Sequence, residues 1–122
     1  MTIKSHRDLV AWQKALELSF AVYRETEAFP ADERFGLISQ SRRCAVSVPS
    51  NIAEGYGRGS TRDYLRFLRT ARGSLYELDT QFLIANGLGL VQERRHQRLQ
   101  QRIDEVGRLL SGLIRSIERT EQ

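Results

Sequence analysis

The 122-residue chain carries 19 basic and 15 acidic residues, a formal net charge of +4, and a hydrophobic fraction of 40% that is ordinary for a folded domain. Its single cysteine excludes an intramolecular disulfide and a cysteine-rich zinc site, and no stretch has the ~18 consecutive apolar residues of a membrane-spanning helix. We therefore expect one cytoplasmic domain over residues 1–122, with no cofactor, no metal and no membrane association.

Four segments show helical periodicity, at about residues 7–28, 32–56, 61–86 and 91–118, and no segment alternates apolar and polar residues long enough to indicate a strand. The first segment ends before Pro30, because the residue that precedes a proline is disfavoured in the helical region. Its large apolar residues recur at steps of three and four and are predicted to lie in the core: Leu9, Trp12, Leu16, Phe20 and Tyr23.

The second segment contains Pro49, which removes one backbone hydrogen bond and predicts a kink, with Ser47 or Ser50 as a local partner for the freed carbonyl. The third and fourth segments carry apolar stripes at alternating steps of four and three, which are typical of antiparallel packed helices. These stripes are Tyr64, Leu68, Ala71, Leu75, Leu78, Phe82 and Ala85, and Leu99, Ile103, Val106, Leu110, Leu113/Ile114 and Ile117. The predicted fold is all-α, an antiparallel four-helix bundle with short loops and a second helix kinked at Pro49.

The stretch VSVPSNIAEGYGRGS, residues 46–60, connects the second and third helices. Its glycines match neither a dinucleotide-binding fingerprint nor a phosphate-binding loop. Ser60 followed by Asp63 predicts an N-cap for the third helix. We interpret the stretch as a glycine-rich corner whose helix N-terminus can also accept an anion. Farther on, NGLG at residues 86–89 predicts a helix stop with a left-handed glycine.

Arginine is concentrated around this corner. Residues 34–72 contain eight arginines but only Glu54 and Asp63 as acids. At 100° per residue, an outward face of the third helix carries the predicted anion-binding residues Arg62, Arg66 and Arg69, with Arg72 at its flank, Arg58 at the corner, and Arg42 and Arg43 as secondary candidates. Guanidinium groups suit phosphates, so nucleic acid is the favoured partner. A solvated face and a surface for an acidic protein remain open alternatives.

The same outward face of the third helix also predicts self-association. Gly73 is costly inside a helix unless another backbone approaches closely, and it is followed at helical spacing by Tyr76, Thr80 and Ile84. We therefore assign these four residues to an oligomer interface. On the second helix, a polar side faces either solvent or another subunit, and it comprises Gln40, Arg43, Ser47, Asn51 and Glu54.

Catalytic patterns are scarce. His6 and His96 lie in different segments without spaced carboxylates, so we expect two exposed histidines at helix ends. Cys44 lies among small residues and beside Arg42 and Arg43, which favours a packed side chain over an activated thiol. We predict that the protein is not an enzyme.

Several stretches resemble the four-helix-bundle proteins named for the intervening sequences of 23S ribosomal RNA genes. They are HRDLVAWQKALEL, the run from FGLISQSRRC through SVPSNIAEGYGRGS to ARGSLYELDTQFLIA, and LGLV. The likeness extends from about Asp8 to Val91 and is strongest over residues 42–79. This resemblance implies a helical protomer that assembles into a homo-oligomer, as a five-fold ring. It also implies kinship with the accessory variability determinant of diversity-generating retroelements, a basic pentamer that binds nucleic acid and a reverse transcriptase.

Together these observations predict a non-enzymatic, homo-oligomeric bundle, a pentamer by resemblance, that binds RNA or DNA through phosphate contacts. The alternative is an oligomeric adaptor that docks on an acidic protein, such as a nucleic-acid enzyme.

Overall fold

The computed structural model describes residues 2–121, and within them every regular element is helical. Four α-helices form the bundle: α1 (Val10–Thr26), α2 (Ser39–Tyr56), α3 (Thr61–Gly87) and α4 (Glu93–Glu121). Two 3₁₀ turns, His6–Asp8 and Ala31–Glu33, and one π-helical turn, Arg34–Ile38, lie before α1 and α2. The all-α prediction is confirmed.

The first two predicted helices are too long at their N-terminal ends. Residues 6–8 form a separate turn that is capped by Ser5, and α1 begins only at Val10. Before α2, Gly36 adopts φ −100° and ψ −112°, which lies outside the helical region and delays the regular helix to Ser39. The Glu33 carboxylate accepts the Leu37 N–H there at 3.2 Å.

Polar contacts fix the order of the helices around the bundle. Ser47 of α2 is hydrogen-bonded to Ser74 of α3, Arg69 of α3 pairs with Glu118 of α4, and Arg95 of α4 pairs with Glu25 of α1. In each consecutive pair of helices, residues that come later in the first contact residues that come earlier in the second, so the helices run antiparallel in the order α1-α2-α3-α4, and α1 lies diagonally opposite α3.

The core is confirmed for α3 and α4 but is wrong for α1. On α3 and α4 the 4-3 stripes are buried, apart from the half-buried Tyr64, Leu113 and Ile117. On α1, however, the buried apolar side chains are those of Ala11, Ala15, Leu18, Ala21 and Val22. The predicted stripe lies beside them: Phe20 is 57% exposed and Tyr23 42%, while Leu9, Trp12 and Leu16 are half-buried. The small residues hold α1 close to its neighbours and leave the large ones on its flank.

Helix α2 continues through Pro49 without an interruption, and the bend of its axis stays a prediction. Because proline has no N–H, the carbonyl of Ala45 loses its helical donor. The Ser19 hydroxyl of α1 lies 2.8 Å from that carbonyl oxygen and donates to it, in a buried position. Neither Ser47 nor Ser50 therefore fills the role that the sequence assigned to a local serine.

Helices α2 and α3 approach each other closely at Gly55. A Cβ atom at this position would lie 2.8 Å from Cβ of Phe67 and 3.3 Å from the carbonyl oxygen of Tyr64. Only glycine allows the two helices to approach so closely here. The short connection from α3 to α4 also matches its prediction, because Gly89 has φ +76° and its N–H donates to Asn86 O in a left-handed helix stop.

Candidate nucleic-acid interface

The corner between α2 and α3 holds the predicted arginines at the outer surface. Ser60 is the N-cap of α3, and its hydroxyl accepts the Asp63 N–H at 3.1 Å, as predicted. This cap fixes where α3 begins and therefore which side chains of its first turns point outward. Arg58, Arg62 and Arg66 are all exposed.

Three of the predicted arginines pair with carboxylates of the same chain. Arg58 pairs with Glu54 at 2.9 Å, Arg66 with Asp63 at 3.5 Å, and Arg69 with Glu118 of α4 at 2.8 Å. All six side chains are between 44% and 60% exposed. Exposed pairs of this kind contribute about 0.2–1 kcal/mol each, so a phosphate can displace such a carboxylate at little cost.

Phe67 organises two of these arginines. The guanidinium carbon of Arg58 lies 4.9 Å from the centre of the Phe67 ring, and that of Arg66 lies 4.5 Å from it. Cation–π contacts of this length hold both side chains in place without using their N–H donors. The two guanidinium groups are therefore positioned in advance and keep donors available.

The remaining arginines of the predicted set differ in how accessible they are. Arg62 is exposed and has no carboxylate partner among residues 2–120. Arg72 is half-buried and donates to Ser111 of α4 at 3.5 Å. Arg42 braces α2 against α1, because it lies 4.5 Å from the centre of the Tyr23 ring and donates to Thr26 Oγ1 at 2.8 Å. Arg43 is exposed.

The polar side of α2 divides between the protomer interior and its surface. Asn51 donates to the carbonyl and the hydroxyl of Ser47, which in turn contacts Ser74, so these residues connect α2 to α3. Gln40, Arg43 and Glu54 are exposed in the protomer.

The predicted oligomer interface on α3 is an exposed surface with large apolar side chains. Tyr76 is 58% exposed and Ile84 49%, and Gly73 and Thr80 are also exposed. A Cβ atom added at Gly73 would meet nothing within 4 Å in the protomer. We call this set the α3 strip: Gly73, Tyr76, Thr80 and Ile84.

A second apolar surface lies between α1 and α2, where the sequence predicted core. Here the large residues of α1 line an open groove of about 570 Å³ together with Val46, Pro49 and Ala53 of α2. We call it the apolar groove; its α1 residues are Trp12, Leu16, Ser19, Phe20 and Tyr23. The sequence shows these large residues of α1 at regular helical spacing. The prediction that they are buried in the core was wrong.

Arginines also line a groove of about 650 Å³ between α4 and α1, which the sequence reasoning overlooked. Arg95, Arg98 and Arg102 recur at steps of three and four on α4, a spacing that was legible in the sequence. The sequence does not show that Arg24 of α1 lines the same groove, because that depends on how the helices pack. We call this surface the basic groove.

The histidine prediction is wrong for His96, which is 6% exposed on α4. His6 packs edge-on against Trp12, with ring centres 5.0 Å apart. Cys44 is a buried free thiol, as predicted, and burial together with the nearby Glu77 carboxylate raises its pKa. Within the described residues, no three His, Cys, Asp or Glu side chains come together in a way that could hold a metal ion.

None of the helices in the part of the chain that the structure describes has the length and apolar character needed to cross a bilayer.

Comparison with known proteins identifies the family. The sequence matches the 23S rRNA-intervening sequence protein family over residues 7–112, whereas no curated protein matches it. A similar fold occurs in the crystal structure of a protein of unknown function, from the S23 ribosomal protein family, of Bacteroides thetaiotaomicron. That chain is 19% identical, the match covers 87% of this chain and 96% of that chain, and the TM-score is 0.80. The chain therefore belongs to the family of 23S rRNA-intervening sequence proteins, as the sequence motifs indicated.

Proposed function

We propose that this protein is a cytoplasmic, non-enzymatic homo-oligomer that binds RNA or DNA through arginine contacts to phosphates. The observation that carries the proposal is the arginine cluster at the corner, where Phe67 holds Arg58 and Arg66 and the unpaired Arg62 lies on the same outer surface. Positioned guanidinium groups lose little side-chain entropy when an anion binds. Arg69 extends the cluster along α3.

The ion pairs of this surface are compatible with phosphate binding. Each carboxylate partner is at least 44% exposed, so it can be rehydrated when a phosphate replaces it. Phosphate contacts of this kind hold a nucleic acid without reading its sequence. We therefore expect binding with weak sequence preference and strong salt dependence.

Two separate apolar surfaces support self-assembly. The α3 strip and the apolar groove lie on different sides of the protomer, since α3 is diagonally opposite α1. A contact between two different surfaces is head-to-tail, and such contacts generate rings when the rotation closes. Five copies is the number that the family resemblance implies. A ring repeats the arginine cluster around its circumference and multiplies weak phosphate contacts by avidity.

Salt-dependent binding of labelled duplex DNA and single-stranded RNA tests the nucleic-acid proposal. For the wild type, log K should fall linearly with log salt, by about 0.9 for each phosphate contacted on duplex DNA. An Arg62→Ala/Arg66→Ala/Arg69→Ala variant should bind more weakly with a shallower slope. A matched control removes three exposed charges elsewhere: Lys4→Ala/Arg7→Ala/Arg34→Ala. No binding by the wild type at low salt, or equal binding by the two triple variants, would contradict the proposal.

The adaptor function is the second candidate, and a specific observation favours it. Three arginines of this surface already bind carboxylates within the chain, so the surface can accept the acidic side chains of another protein. In that case polyglutamate should compete for the surface as well as RNA of equal charge does. Selective binding of RNA in this competition would support the nucleic-acid function instead.

A further inference from the structure

The basic groove has an unusual balance of charge. Residues of α1 and α4 line it along an open length, with five arginines against the two acids Glu25 and Glu105. The arginines are Arg24, Arg95, Arg98, Arg102 and Arg108. Its other lining residues, Ala21, Leu99 and Gln101, carry no charge.

Only one of the two acids that line the groove forms an ion pair with one of its arginines. The other arginines of the groove have no acidic partner among residues 2–120. Glu25 is only 17% exposed and pairs with Arg95 at 3.0 Å. The other four arginines make no ion pair and no hydrogen bond through their side chains with any residue from 2 to 120; they are Arg24, Arg98, Arg102 and Arg108. Glu105 forms no ion pair within the same range.

Such an arrangement is unfavourable for an isolated protomer. Arg98 and Arg102 are four residues apart and therefore adjacent on one face of α4, where like charges repel. Arg24 adds a third positive charge from the facing helix. A bound polyanion would relieve this repulsion. The corner cluster differs, since its arginines are largely balanced by Glu54, Asp63 and Glu118.

The shape of the groove favours a polymeric anion. From Arg95 to Arg108 the α4 backbone advances by about 20 Å, at ~1.5 Å per residue, so the arginines form a row and do not converge on one point. Arg95, Arg98 and Arg102 follow one another at about one helical turn, and Arg108 lies six residues further along α4. A row of guanidinium groups of this kind suits a chain of phosphates better than a single phosphate. The uncharged floor, with the small Ala21, leaves space for a strand to lie along the row.

We infer that the basic groove is a second phosphate-binding site, which holds the backbone of an RNA or DNA strand. The inference rests on the proposed nucleic-acid function for the identity of the ligand, but it assigns binding to different residues. Because the groove has more unpaired arginines than the corner cluster, it contributes the larger share of the electrostatic affinity.

Three variants separate the two sites. The groove variant is Arg24→Gln/Arg98→Gln/Arg102→Gln, the corner variant is Arg62→Ala/Arg66→Ala/Arg69→Ala, and the control is Lys4→Ala/Arg7→Ala/Arg34→Ala. With labelled duplex DNA, the groove variant should bind roughly tenfold more weakly or worse at low salt, and its salt slope should fall by about one for each arginine that contacts a phosphate. The control should bind like the wild type.

The outcomes distinguish the inference from the proposed function. If only the corner variant loses affinity, the groove inference is overturned and the proposed function stands. If only the groove variant loses affinity, the inference stands and the corner assignment is wrong. If the wild type binds neither DNA nor RNA at low salt, both are overturned.

Circular dichroism and light scattering monitor the folding and assembly of each variant. If the triple groove variant misfolds, the single variant Arg98→Gln must still lower the salt slope.

A competition experiment tests the phosphate chemistry. Inorganic polyphosphate should displace RNA from the corner variant, whose remaining site is the groove, at a much lower charge concentration than polyglutamate. Equal displacement by polyglutamate would assign the groove to an acidic protein segment and overturn the inference.

Discussion

Helix α1 borders two open grooves of similar size and opposite chemistry. Toward α2 the groove of about 570 Å³ is lined by large apolar side chains, among them Trp12, Phe20 and Tyr23. Toward α4 the groove of about 650 Å³ is lined by arginines, including Arg24 and Arg98. One helix thus separates a surface suited to another protein from a surface suited to a polyanion.

Residue size explains how one helix can border both grooves. Apart from Leu18, the buried apolar positions of α1 are small or medium in size, and they include Ala11, Ala15 and Val22. These residues allow α1 to pack closely without using its largest side chains. The large apolar side chains of α1 consequently remain on the protomer surface, where the proposed self-assembly would use them.

The largest expected effect is loss of assembly when a charge enters the apolar groove. Phe20→Asp should weaken self-association by about 3 kcal/mol or more, roughly a hundredfold, because an uncompensated carboxylate would be buried between protomers. The protomer should stay folded, since Phe20 is 57% exposed in it. Light scattering measures the assembly. Val10→Asp is the matched control, as Val10 is 51% exposed and lies outside the groove. If Phe20→Asp assembles like the wild type, the apolar groove is not an assembly surface, and the proposed difference in role between the two grooves is contradicted.

The closed α2/α3 contact gives a contrast with the open grooves. Gly55→Ala should lower the free energy of unfolding by about 1–3 kcal/mol, because the new Cβ would lie 2.8 Å from Phe67 Cβ and force the helices apart. Gly57→Ala is the control, since a Cβ atom there would lie 3.6 Å from the carbonyl oxygen of Glu54, an ordinary van der Waals distance. Chemical denaturation measures both variants. Equal stability of the two would show that the α2/α3 contact is less tight than described.

Ser19 tests how the floor of the apolar groove is stabilised. Ser19→Ala should cost about 1–3 kcal/mol, because the buried carbonyl of Ala45 loses its donor. In a Pro49→Ala background the cost should be much smaller, since residue 49 then donates its own N–H to that carbonyl. A double-mutant cycle by denaturation measures the coupling, and additive effects would show that Ser19 does not replace the missing helical bond.

Gly73→Ala should have opposite effects on the protomer and on the assembly. Replacing an exposed glycine inside α3 should stabilise the protomer by about 1 kcal/mol. The added methyl group should nevertheless weaken self-association if the α3 strip meets another backbone closely. Gly112→Ala, inside α4, provides the same helical gain outside the strip. Stronger assembly of the Gly73→Ala variant would contradict the assignment of the strip as a close interface.

The smallest expected effect is a pH dependence at the corner. Burial, with a contribution from Tyr56, raises the pKa of Tyr64 to about 12 from its ordinary value of 10.0. The neutral phenol is therefore favoured in the folded state, so this contribution to stability is complete below pH 10.0 and is lost as the pH rises toward about 12. Ultraviolet titration should show a phase of tyrosine ionisation near pH 12, and Tyr64→Phe should remove that phase. A titration without that phase in the wild type would contradict this environment.

Periodicity predicted α3 and α4 correctly because each has one apolar stripe. Helix α1 has two, since Ala11, Ala15, Leu18 and Val22 also recur at steps of four and three. Periodicity alone does not decide between them, and weighting by size selected the wrong one. Pro49 illustrates a related limit: the sequence indicated a freed carbonyl, but its donor, Ser19, lies on another helix.

The sequence predicted where the candidate site lies, but it did not predict which of its arginines pair with carboxylates. The spacing of four residues between Glu54 and Arg58, and of three between Asp63 and Arg66, indicated two local ion pairs, of which the second lies on a helix surface. The pair of Arg69 with Glu118 joins residues 49 positions apart, and Arg24 enters the basic groove only through packing. Contacts between different helices thus determine which of these arginines are neutralised, and the spacing of residues along the sequence does not predict such contacts.

Arginine footprinting tests the central claim most directly. The assembled protein would be treated with phenylglyoxal in the presence and absence of RNA, and the modified arginines would be identified by mass spectrometry. We predict that RNA protects Arg98 and Arg102 in the basic groove and Arg62 at the corner, and leaves Arg7 and Arg34 reactive. Equal reactivity of all five arginines with and without RNA would contradict the claim that these surfaces bind a phosphate backbone.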